Sequence, residues 1–74
     1  MPTVTVNTEV AGTVWKVLVN IGDKVTQDQE LVIVESMKME IPCSAPHAGT
    51  VQTLWVLEGD ALQEGQAVAL IEWA

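Results

Sequence analysis

The residues best suited to chemistry lie in the segment Glu35-Ser36-Met37-Lys38-Met39-Glu40. Lys38 lies three residues after the strand expected to end at Glu35, branched residues resume at Ile41, and the turn-prone stretch Pro42-Cys43-Ser44-Ala45-Pro46 comes next. That layout predicts a tight hairpin with Lys38 at or near its tip. There the ammonium stands in water on a flexible four-carbon stem fixed to a rigid β scaffold, which is how an amine is presented for modification. A lysine in a turn is in most proteins only a solvated charge. The flanking methionines set this one apart: long apolar side chains beside an exposed turn either suit an adaptable contact with a visiting protein or heterocycle, or point inward from the strand ends as core. Glu35 and Glu40 either steer a basic pocket or are plain surface.

No other residue pattern points to catalysis or metal binding. Cys43 is the only cysteine, so an internal disulfide is impossible, and with no neighbouring base it reads as a small buried hydrophobe. His47, between Pro46 and Ala48-Gly49, reads as a loop residue with no Ser, Cys or ligand partner at useful spacing. No paired carboxylates stand out, and Glu35 and Glu72 are better explained by a repeat than by acid/base work. No catalytic residue and no metal site are therefore expected. A net charge of −7 without a single Arg opposes nucleic acid or anionic membrane as partner. No apolar stretch is long enough to span a bilayer and no basic start precedes an apolar block, so a soluble, cytoplasmic protein is expected.

The scaffold around Lys38 is duplicated. Residues 11–35 and 48–72 align without gaps at an offset of 37, and nine of the 25 positions are identical, among them Ala-Gly-Thr-Val at 11–14 and 48–51 and Gly-Asp at 22–23 and 59–60. Each copy is too short to fold alone, so the two are expected to share one core with approximate twofold symmetry, in a single domain over residues 1–74. Branched residues in short runs, with no helical stripe, predict strands near 3–6, 12–19, 30–35, 39–42, 49–57 and 67–73, with short pieces at 24–25 and 61–62. The fold class is all-β: a flattened barrel or sandwich of two four-stranded antiparallel sheets with quasi-twofold symmetry. Gly12 and Gly49 mark a bulge or close backbone approach, and the Gly-Asp pairs mark turns. Trp15, Trp55 and Trp73 are expected in the core or at strand ends, with Trp73 a minority candidate for partner contact.

At the Met-Lys-Met triplet, preceded by Glu35 and the small Ser36 and framed by the repeated Ala-Gly-Thr-Val and Gly-Asp, the chain resembles the biotinyl domains, or biotin carboxyl carrier domains, relatives of the lipoyl domains. The resemblance covers essentially the whole chain. It implies that Lys38 receives biotin through an amide, with Glu35, Ser36, Met37, Met39 and Glu40 as recognition residues. Lipoyl domains usually carry Asp-Lys-Ala at the triplet, which opposes lipoylation. Ser36 replaces a common Ala and Asp28 a common Gly; the gap-free repeats resemble the type without a thumb-like insertion, found in acyl-CoA, pyruvate, urea and decarboxylase systems. The implied function is carriage of a carboxyl group by lysine-linked biotin between a biotin carboxylase and a carboxyltransferase, after attachment by a biotin protein ligase. By itself the domain is expected to be a monomer and not an enzyme. The alternatives are a lipoylated acyl carrier and a non-covalent binding module with Lys38 unmodified.

Overall fold

The computed structural model describes residues 2–73. Eight strands run in the order β1 (Thr3–Asn7), β2 (Gly12–Val17), β3 (Lys24–Val25), β4 (Glu30–Ser36), β5 (Met39–Ser44), β6 (Gly49–Leu54), β7 (Ala61–Leu62) and β8 (Ala67–Glu72). They form two four-stranded antiparallel sheets, β1-β8-β6-β3 and β5-β4-β2-β7. Shifting each residue number by 37, up in the first half and down in the second, turns one sheet order into the other, so the all-β sandwich read from the sequence is the architecture observed.

The same offset organises the interior. Every buried residue has its counterpart buried: Val6 with Cys43, Thr8 with Ala45, Val14 with Val51, Val19 with Val56, Val25 with Leu62, Leu31 with Val68, Val32 with Ala69, and Val34 with Ile71. Small and branched side chains fill the narrow gap between sheets, each fully buried Val, Leu or Ile contributing about 1.5–3 kcal/mol. Thr8, the one buried polar side chain among the described residues, donates its hydroxyl to the Val10 carbonyl at 2.8 Å.

Two expectations need correction. Strands placed at 12–19 and 49–57 end at Val17 and Leu54. Residues 18–23 and 55–60 instead form equivalent loops that dip Val19 and Val56 into the core, so branched side chains there serve burial from a loop. These loops also lace the sheets together, with Gly22 N donating to the Val51 carbonyl at 2.7 Å and Gly59 N to that of Val14 at 2.8 Å. The tryptophans are the second correction: Trp15 and Trp55 are 45% and 50% exposed, because a core closed by paired valines has no space for an indole. Trp15 sits in a β-bulge between Val14 and Lys16, mirrored by Gln52 between Val51 and Thr53. Trp73, half-buried just past β8, does pack at a strand end.

Candidate functional site

The β4–β5 hairpin carries the candidate residues. Its last pair is Ser36 opposite Met39, leaving Met37 and Lys38 as a two-residue turn with φ of 52° and 66°. Positive φ at both central positions is the type I′ geometry that follows the twist of paired strands, and it ordinarily selects Asn-Gly. Met-Lys in its place carries strain of about 1–2 kcal/mol per residue, of the kind that collects at functional sites. The tip is therefore shaped by local pairing while its side chains answer to something else.

The turn holds Lys38 at the apex with its side chain exposed. Met37 is 93% exposed and Met39 63%, which rules out the inward-pointing alternative for both. Glu35 and Glu40 are directly opposed on the two strands and both exposed, while Ser36 is half-buried. All six residues are thus gathered at one end of the molecule. Pro42 lies in β5 without disturbing the ladder, because β5 is an edge strand.

From the tip β5 runs away to Ser44, and residues 45–48 lead straight to Gly49, packed against the Glu72 carbonyl. At that far end Trp73 N donates to the Pro2 carbonyl at 3.0 Å, so both ends of the described chain lie at the pole opposite Lys38, in a body 36 × 19 × 18 Å. His47 stacks there on Trp73, with ring centroids 4.0 Å apart, an arrangement without a local sequence signal. The Cys43 thiol is buried and its pKa is pushed up by burial; the Thr8 hydroxyl opposes this and the nearby Glu9 charge adds to it. Among the described residues no group of three or more His, Cys, Asp or Glu side chains could hold a metal. A covalently attached cofactor fits this chain at an exposed apical amine.

Comparison with known proteins agrees with that geometry. The family model described as "Biotin-requiring enzyme" matches residues 1–71. The chain is 45% identical over 64 residues to the biotin/lipoyl attachment protein of Bacillus subtilis, covering 86% of this chain and 88% of that one. It is 45% identical over 60 residues to the biotin carboxyl carrier protein of Streptococcus mutans, covering 81% of this chain but 46% of the relative. Among solved structures, the urea carboxylase of Kluyveromyces lactis contains a region that superposes with a TM-score of 0.92 at 29% identity, covering 97% of this chain and 6% of that much longer one. The chain belongs to the biotin/lipoyl attachment family, as a non-catalytic carrier domain of the biotin carboxyl carrier kind.

Proposed function

We propose that Lys38 carries biotin and that the domain presents it in turn to a biotin carboxylase and a carboxyltransferase. The observation that carries this reading is the exposed Lys38 amine at the apex of a strained two-residue turn between exposed methionines. In attachment, the Lys38 Nζ loses a proton and displaces the leaving group from an activated biotin carboxyl, and an amide forms. Bound biotin supplies a ring nitrogen able to accept and release a carboxyl group. The chain's own contribution is reach and placement: the turn projects the Lys38 stem clear of the sandwich, Met37 and Met39 offer adaptable apolar contact, and tethering keeps the arm at high local concentration near each enzyme.

Intact mass after incubation with a biotin protein ligase, ATP and biotin tests the reading. A single biotin-sized increment, absent from Lys38→Ala, is expected. No increment on folded protein, while a known carrier is labelled in parallel, overturns it, as does an increment that survives in Lys38→Ala. A parallel reaction with a lipoate ligase reads out the alternative modification, which the Met-Lys-Met flanks disfavour.

A further inference from the structure

The duplication gives the molecule an internal reference surface, since each outward-facing residue of one sheet has a counterpart on the other. On the outer face of β5-β4-β2-β7, Pro42, Ile33 and Lys16 are directly opposed on three adjacent strands. Trp15 bulges out beside them, with the Lys16 Nζ 5.8 Å from its ring centroid. One row nearer the tip stand Glu40, Glu35 and Thr13. On the other sheet the equivalent rows are Thr5, Leu70 and Thr53, with Gln52 in the bulge, and then Thr3, Glu72 and Thr50. The fold is thus satisfied by a threonine-rich face, and the half leading to Lys38 replaces it with an exposed indole, a proline and a second carboxylate.

We infer that this band, Trp15-Ile33-Pro42 with the Glu35–Glu40 pair, is the docking surface for the ligase that acylates Lys38. The inference rests on the attachment reading above and names the partner that this face serves. Two arguments select the ligase. Before modification the amine reaches no further than its own stem, so the acylating enzyme must close down on the tip and rest on a face beside it, whereas enzymes that act on the modified lysine are reached by a much longer arm. Glu35 and Glu40 are like charges directly opposed across a strand pair, an unfavourable arrangement until a cation lies over both. A partner with Lys or Arg beside an apolar contact satisfies the carboxylates and covers Trp15 and Pro42 together.

The test is the kinetics of biotin transfer to the apo domain, followed by intact mass, with each substitution borrowed from the opposite half so that the backbone is already known to accept it. Trp15→Gln is expected to lower kcat/KM about tenfold through KM, with the transfer still running to a single increment on Lys38. The triple variant Trp15→Gln, Glu40→Thr, Pro42→Thr is expected to lower it further. Gln52→Trp, on the other face, is expected to leave it unchanged, and melting curves establish that all three are folded. A triple variant within twofold of the unsubstituted domain overturns the inference, as does an equal loss in Gln52→Trp. Normal attachment followed by slowed use of the loaded triple variant by a biotin carboxylase also overturns it, assigning the face to that enzyme. Failure of the unsubstituted domain to accept biotin at all is a separate result, which removes the attachment reading and this surface with it.

Discussion

Met37→Gly should make the domain more stable and a poorer substrate. Met37 holds φ at 52°, where a side chain costs about 1–2 kcal/mol that glycine does not incur. Glycine gives back part of that gain through the larger entropy of its unfolded chain, about 0.5–1 kcal/mol. The net stabilisation is about 0.5–1 kcal/mol. In a domain of this size 1 kcal/mol moves Tm by about 4–8 °C, so Met37→Gly should melt about 2–8 °C higher. The same change deletes a side chain that is 93% exposed, so its loss removes almost no burial but does remove an apolar contact beside Lys38. The assay pairs a circular-dichroism melt of the apo domain with a time course of biotin transfer. Asp28→Gly is the control, because Asp28 sits at φ 70° where its repeat counterpart Gly65 sits at 83°, remote from the tip; it should gain stability without changing transfer. An unchanged or lower Tm in Met37→Gly would refute strain in the turn, and undiminished transfer would refute a role for the Met37 side chain.

Two further outcomes follow from the packing. A Cβ at Gly12 would collide with the Glu35 carbonyl oxygen and lie 2.9 Å from Val34 Cγ1, and one at Gly49 would collide with that of Glu72 and lie 2.8 Å from Ile71 Cγ2. Gly12→Ala and Gly49→Ala should therefore each cost about 2–4 kcal/mol in urea unfolding, and a large loss in only one would break the symmetry argument. Because burial raises the Cys43 pKa above its ordinary 9.0, its contribution to stability is present below that value and is lost as pH rises through the folded pKa. Cys43→Val, which installs the residue that Val6 supplies in the other half, should flatten the alkaline fall in stability; an unchanged slope between neutral pH and about pH 10.5 would refute the burial argument.

Much of the fold was legible because the sequence states it twice. Gly12-Thr13-Val14 and Gly49-Thr50-Val51 fix where two strands start, and Gly-Asp at 22–23 and 59–60 fixes the turns, where Asp23 and Asp60 accept from Asn20 N and Leu57 N at 2.8 and 2.9 Å. Lys38 was legible because it stands between two branched runs with no room for more than a hairpin. The exposure of Trp15 and Trp55 was not, since hydrophobicity alone sends an indole inward and only the volume between the finished sheets keeps it out. Nor were the strand ends at Val17 and Leu54, because Val19 and Val56 carry the same pattern whether buried from a strand or from a loop. The His47–Trp73 stack joins residues far apart in the chain, and no local pattern records it.

The twofold that relates the sheets also relates the tip to the chain's ends. Ser36 and Met39 correspond to Trp73 and Pro2, and the latter are joined by a strand-like hydrogen bond of 3.0 Å. At Pro2 and Trp73 the pairing is held by hydrogen bonding, whereas at the equivalent place in the other half the Met37-Lys38 turn joins the two strands covalently. A permuted chain, opened at the tip and joined at the far pole, would keep every strand pair described above, which amide-exchange protection would reveal.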